Sequence, residues 1–156
     1  MTKRILFVCL GNICRSPMAE EIMRAKGKSS GINIEVDSAG TSGLHAGDPP
    51  DARAIVAARI AGYDISDQQA RRLKRSDFYH FDAIIVMDDR NLQDVLDAQP
   101  EDAVARVEMI TSYAQSLKGQ EIPDPYYSGK FAPAISMIEE SCDALVDQLR
   151  LGADAQ

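Results

Sequence analysis

Tryptophan is absent from this 156-residue chain, histidine occurs twice and cysteine only three times. So few cysteines, odd in number, exclude a disulfide-stapled scaffold. They also exclude a structural zinc centre, because Cys9 and Cys14 lack a second ligand pair and only His45, His80 and Cys142 remain. Basic residues are in the minority, 17 Lys and Arg against 24 Asp and Glu, for a net charge of −7. That balance excludes a broad nucleic-acid surface, although a small anion can still bind where backbone N–H groups and one or two cations converge. Long apolar runs are missing too. The longest, Ile5 to Leu10, is far below the roughly 18–20 residues needed to span a bilayer. It runs straight into Gly11, Asn12 and Arg15 rather than a small-residue cleavage site, so a secretory signal is not read and a reducing cytoplasm is expected. Repeats, low-complexity tracts and linkers are likewise lacking, and residues 1–156 read as a single domain. At 45% apolar and 26% charged residues, a chain of this length buries roughly two thirds of its unfolded surface.

Strand and helix signals alternate along the chain. Arg4 to Cys9 is a short β-forming apolar run that stops at Gly11, as a buried parallel strand does. Ser16-Pro17 opens a helix, with Ser as N-cap and Pro in the first turn, Glu20 and Glu21 near its positive end, and Gly27 closing it. Further strands are read at Ile32–Val36, Ala83–Met87 and Arg106–Ile110. Helices are read at Pro49–Ala61 with Ile55, Val56 and Ile60 inward, through Leu92, Val95 and Leu96, and from Phe131 to Leu151. The last places Ile135, Ile138, Cys142, Leu145, Val146 and Leu149 on one face, which makes Cys142 a core thiol. This alternation predicts an α/β layered fold on a parallel sheet, with the ligand site at the carboxyl ends of the strands.

The segment Cys9-Leu10-Gly11-Asn12-Ile13-Cys14-Arg15-Ser16-Pro17 lies at that end. A cysteine finishes a strand, an arginine follows six positions later and a helix starts at once. Successive loop N–H groups and the helix dipole then face one point, an oxyanion cradle formed by Leu10, Gly11, Asn12, Ile13, Cys14, Arg15 and Ser16. Gly11 permits a turn that a Cβ would obstruct, and Asn12 tolerates a left-handed backbone. Arg15 supplies a planar fork for two oxygens of a tetrahedral dianion. Cys9 sits in an electropositive setting that favours the thiolate, and Ser16 can donate to it. Spacing alone leaves a buried structural thiol as an equal alternative; the strand, the Gly-Asn pair and the Ser-Pro helix start favour chemistry.

The chain resembles the low-molecular-weight protein tyrosine phosphatases. The likeness rests on Cys9 to Pro17, on Ser38-Ala39-Gly40-Thr41-Ser42-Gly43, and on His45, Gly47, Pro49 and Asp51 to Ala54. It continues through Ala70-Arg71, Met87-Asp88 with Asn91, and Asp124-Pro125-Tyr126-Tyr127. The resemblance implies a three-layer α/β fold whose four-stranded parallel sheet is flavodoxin-like, in strand order 2-1-3-4. It implies catalysis without a metal or cofactor, with Cys9 as nucleophile, Arg15 clamping phosphate and Asp124 as general acid. A phosphotyrosine protein is the implied partner, a tyrosine kinase among the candidates, and the chain is expected to be a monomer or weak dimer. Asn12, Ser16 and Ser38 match positions that buttress the loop. On its own, Asp124 in Ile122-Pro123-Asp124-Pro125 reads first as a surface turn residue.

Two positions depart from the family. Gln68 stands where a network histidine is usual; it can donate and accept but cannot charge. Leu44 stands where many relatives carry a large aromatic, leaving Tyr126 and Tyr127 as the rim aromatics. The tyrosine pair resembles one phosphorylated in some relatives, but here it reads as two rim side chains. The resemblance also raises a Cys9–Cys14 disulfide that would guard the nucleophile. His45 reads as structural and His80 as a partly buried or surface residue. Rival functions are arsenate reduction, which needs a further cysteine pair, and phosphoarginine hydrolysis, whose branch resembles this loop with Thr in place of Ile13. A phosphoprotein-binding module lacking catalysis or a redox sensor completes the alternatives.

Overall fold

The computed structural model describes residues 2–154. Four parallel strands form one sheet: β1 (Lys3–Cys9), β2 (Ile34–Gly40), β3 (Ala83–Val86) and β4 (Arg106–Met109), in the order β2-β1-β3-β4. Central β1 pairs with β2 from Lys3↔Ile34 to Cys9↔Gly40 and with β3 from Ile5↔Ala83 to Val8↔Val86. Its unbroken apolar run is explained by burial on both faces. Ile5, Phe7 and Cys9 pack on one side with helices α1 (Arg15–Ser29), α2 (Ala52–Ile60) and α6 (Phe131–Asp154). Leu6 and Val8 pack on the other with α3 (Asp77–His80) and α4 (Asp89–Ala98). This is the three-layer α/β arrangement expected from the sequence.

Several local expectations are corrected. β2 begins two residues later than read and extends to Gly40, which carries Ser38 to the carboxyl end of the sheet. α1 begins at Arg15, so Ser16 lies inside its first turn and does not cap it. Glu20 is therefore beyond the first turn and buried, and its partners are side chains rather than the helix dipole. Gly27 does not end α1. It lies within the helix, and its lack of a side chain admits Ile34, whose Cδ1 would lie 2.4 Å from a Cβ there. On α2 the buried residues are Ala54 and Ala58, whereas Val56 and Ile60 face solvent. Small side chains let that short helix lie close to its neighbours, and the larger apolar residues are turned outward. Leu96 on α4 is also largely exposed. Helices α3 and α5 (Pro125–Ser128) and two 3-10 turns, Ile110–Tyr113 and Gln115–Leu117, carry no periodic signal that could have revealed them. Among the described residues no helix is long and apolar enough to cross a membrane.

Candidate active site

β1 delivers Cys9 to the carboxyl edge of the sheet, and the chain turns at once into α1. Asn12 takes φ +56, the one positive-φ residue other than glycine among those described. The turn also needs Gly40 on the neighbouring strand. A Cβ there would approach Leu10 O to 2.8 Å and Asn12 N to 3.2 Å, both backbone atoms that cannot give way. Cys9 Sγ lies 3.0 Å from Ser16 Oγ and receives the Asn12 N–H at 3.3 Å. Among the described residues the N–H groups of Gly11, Ile13 and Cys14 donate to no backbone or side-chain acceptor, so they remain available to an anion.

Arg15 is almost fully buried. Its Nη1 donates to Asp88 Oδ2 at 2.8 Å and to Ile122 O at 2.9 Å, while Nη2 approaches Asp124 Oδ2 at a loose 3.5 Å. Burial works against its charge, but the fields of Cys9, Asp88 and Asp124 and the hydrogen bond to Asp88 outweigh it and raise the guanidinium above its ordinary value. One edge of the fork is thus anchored and the other faces the pocket. Asp124 caps α5, accepting the Tyr126 N–H at 3.0 Å on Oδ1 and turning Oδ2 toward Arg15. The two readings of this residue, turn former and pocket acid, describe its two oxygens. Ile122 N donates to Met87 O, which binds this segment to the end of β3 and brings Asp124 across the sheet to Cys9.

These groups open into a cavity of about 190 Å³ lined by Cys9, Ile13, Arg15, Leu44, Asp124 and Tyr126 among others. Leu44, Tyr127 and Tyr126 stand exposed at its rim, at 82%, 78% and 42%. Tyr126 and Tyr127 meet edge to face, with centroids 5.1 Å apart. The Arg53 guanidinium lies 5.4 Å over the Tyr126 ring and donates to Tyr126 O at 3.1 Å, which fixes the apolar wall. His45 also lines the cavity. Its ring packs on Gly11, where a Cβ would come within 3.2 Å of Cδ2, and its Nδ1 is 3.4 Å from Asp48. His80 is remote and pairs with Glu35.

Ser38 joins the loop, its Oγ receiving Asn12 Nδ2 at 2.9 Å. Gln68 does not; its Nε2 donates to Pro17 O at 2.9 Å and its Oε1 is buried without a partner. Cys14 is buried beside Cys9, and both are free thiols. Burial, with the fields of Asp51, Cys9 and Asp124, pushes the Cys14 thiol up to about 12. Cys142 lies in the core, where burial pushes its thiol well up. Sequence reasoning gave no part to Asp88 or to the Ile122 carbonyl. For Asp88 a signal existed, an acid just beyond a buried parallel strand; for a carbonyl there is none. Among the described residues no group of three His, Cys, Asp or Glu side chains is placed to hold a metal ion.

An electropositive loop between a parallel strand and a helix, enclosing a thiol and faced by a carboxylic acid, defines a phosphate-handling α/β protein of the cysteine-dependent class. A family model described as low molecular weight phosphotyrosine protein phosphatase matches residues 4–154, and the chain belongs to that family. A low molecular weight protein-tyrosine-phosphatase of Streptomyces coelicolor is 37% identical over 157 residues, covering 96% of this chain and 95% of that one. Among solved structures, a protein tyrosine phosphatase from Entamoeba histolytica superposes with TM-score 0.90 at 35% identity, covering 97% of this chain and 99% of that one. A Drosophila arginine phosphatase superposes with TM-score 0.86 at 31% identity, covering 93% and 96%.

Proposed function

We propose that residues 1–156 form one phosphatase domain that hydrolyses phosphotyrosine in proteins, through a phosphocysteine on Cys9. The observation that carries this reading is the convergence of Cys9 Sγ, the Ser16 hydroxyl at 3.0 Å, the buried Arg15 and the Asp124 carboxyl in one cavity. The thiolate attacks phosphorus in line with the ester oxygen. Within the loop from Leu10 to Ser16 the N–H groups of Gly11, Ile13 and Cys14, free among the described residues, and the free edge of Arg15 take the equatorial oxygens as charge builds on them. Asp124 gives its proton to the departing phenolate oxygen. In the second step ionised Asp124 takes a proton from water as the water oxygen attacks phosphorus, and the S–P bond breaks to regenerate the thiolate. Ser16 donates to sulfur at the start and end of the cycle, and Asn12 and Ser38 hold the loop around it.

The apolar walls suit an aryl ester. Ile13, Leu44, Tyr126 and Tyr127 border the cavity, so a phosphorylated ring reaches Cys9 through apolar contact while a short phosphoserine cannot span the same depth. The partner is a phosphotyrosine protein, a tyrosine kinase among the candidates, met in the cytoplasm by a monomer or weak dimer. Cys14 provides a guard. Once peroxide has converted the Cys9 thiolate to a sulfenic acid, the Cys14 thiol displaces its hydroxyl as water, forming a disulfide that a thiol reductant reverses.

Phosphate release from matched phosphotyrosine, phosphoserine and phosphoarginine peptides, beside Cys9→Ser, tests the assignment. Release from phosphotyrosine alone, lost in Cys9→Ser, is expected. Preference for phosphoarginine, as the likeness to the Drosophila enzyme admits, overturns the substrate; turnover by Cys9→Ser overturns the mechanism.

A further inference from the structure

A continuous line of hydrogen bonds leaves Cys9 and ends on the outer surface of α1. From Cys9 Sγ it runs to Ser16 Oγ at 3.0 Å, to Asn12 Nδ2 at 2.8 Å and to Ser38 Oγ at 2.9 Å. It continues to Glu20 Oε1 at 2.7 Å, and the other oxygen of Glu20 receives Arg24 Nη2 at 2.7 Å. Asn12, Ser16, Ser38 and Glu20 are all buried, whereas the Arg24 side chain is 44% exposed. We propose that Glu20 and Arg24 are positioning residues: an ionised Glu20, held so by Arg24, orders the protons of this relay so that Ser16 donates to the Cys9 thiolate. The inference rests on the reading of Cys9 as the nucleophile.

Counting protons gives the direction. Asn12 Oδ1 accepts the Arg71 N–H at 2.9 Å, so its amide cannot turn over, and Nδ2 must face both serines as a donor. Each serine hydroxyl carries one proton and is already receiving one from Asn12. Ser38 therefore directs its proton at Glu20, and Ser16 directs its own at Cys9. The nearest competing acceptor for Ser16, Ala39 O, is at 3.5 Å and too distant to divert it. A protonated Glu20 weakens this. A proton on Oε1 donates to Ser38, whose own proton then loses its acceptor, and a proton on Oε2 leaves Oε1 a neutral and weaker acceptor; either way the pull that orients Ser38 and Asn12 toward the loop falls.

Glu20 has reason to protonate. Burial pushes its carboxyl above the usual range, and Asp37 on β2 adds to the push; hydrogen bonds from Arg24 and Ser38 oppose it. Arg71 binds Asp37 at 3.0 Å and moderates that push. Arg24 is the one cation in direct contact with Glu20 among the described residues; it also holds Glu21 at 2.6 Å and Val36 O at 3.0 Å, which fixes its place. Around Cys9 itself the charged and titratable groups are Arg15, Asp124, Asp88 and Cys14, with His45 lining the same cavity. None of them touches Glu20, so a change at Arg24 reaches sulfur through the relay.

The test is the rate of Cys9 alkylation by iodoacetamide from pH 4 to 9, located by mass spectrometry, with the pH profile of kcat/KM beside it. Removing the cation raises the pH at which Glu20 protonates. Arg24→Met is therefore expected to move the acid limb of both profiles upward by about one pH unit, a tenfold loss of reactivity on that limb, with the plateau at pH 9 kept. Arg24→Lys restores the parent profile. In a Glu20→Gln background, whose amide oxygen accepts from Ser38 at every pH, adding Arg24→Met causes no further shift. A loss that is uniform across pH, or an unshifted profile in a folded Arg24→Met protein, overturns the proposal. Alkylation reads the relay without any substrate, so failure of the phosphatase reading is separately visible as turnover surviving Cys9→Ser.

Discussion

Cys9 and Cys142 are both shut away from solvent, at 3% and 0% exposure, yet their surroundings are opposite. Cys142 is packed into the core between the sheet and α6, and desolvation drives its thiol up, with Asp143 and Glu139 adding to the push and Lys26 opposing it. Cys9 has the same degree of burial, but Ser16 and Asn12 face its sulfur with protons and Arg15 stands in its field. Burial therefore makes a thiol inert or strengthens an anion site depending on whether donors were buried with it. Cys14, in the same loop, is held as the thiol by burial and by the negative fields of Asp51, Cys9 and Asp124, and the Cys9 contribution ends once Cys9 is oxidised to the neutral sulfenic acid.

The comparison breaks most visibly by exchanging sulfur for oxygen at each place. Cys9→Ser is expected to abolish phosphotyrosine turnover without lowering stability by more than about 1 kcal/mol. Cys142→Ser does the reverse. It keeps kcat/KM within about twofold and lowers the urea-unfolding free energy by about 1–3 kcal/mol, because a hydroxyl replaces sulfur in an apolar cluster. Equal effects of the two changes on both measurements contradict the distinction.

A smaller effect sharpens it. Ser16→Ala removes one donor from sulfur while leaving burial intact, and kcat should fall by about 10- to 100-fold, the worth of a hydrogen bond to a charged group. Steady-state kinetics check it, and an unchanged kcat would mean that the loop amides suffice. Alkylation of the parent at pH 8 tests the smallest difference, that between neighbours. With its thiol raised to about 12, Cys14 is ionised to roughly one part in 10⁴ at that pH, and iodoacetamide should label Cys9 alone. Raising the pH should recruit Cys14 before it recruits Cys142.

What was legible in the sequence follows from how local each feature is. The turn from β1 into α1 is continuous chain, so Gly11, Asn12, Arg15 and Ser16 declared the cradle by type and spacing. The alternating strands and helices likewise fixed the layers. α2 misled at Val56 and Ile60, which satisfy helical periodicity but face solvent, while Ile55 packs partly buried on the core beside the fully buried Ala54 and Ala58. Asp124 could not be joined to Cys9 by any spacing rule, since the link is the Ile122–Met87 backbone bond at the end of β3. Its place was expected from family likeness alone. Glu20 was read as a helix-dipole residue, and only the arrival of Ser38 on β2 turned it into the end of a buried relay.

The most direct test of the central claim is to mix Asp124→Ala with an aryl phosphate, quench in acid and map the phosphate by mass spectrometry. Trapped phosphate on Cys9, absent from Cys14 and Cys142, is the predicted result, because the thiolate still attacks while the water step lacks its base. Turnover at the parental rate with an unmodified chain would contradict the account, as would phosphate on any other residue.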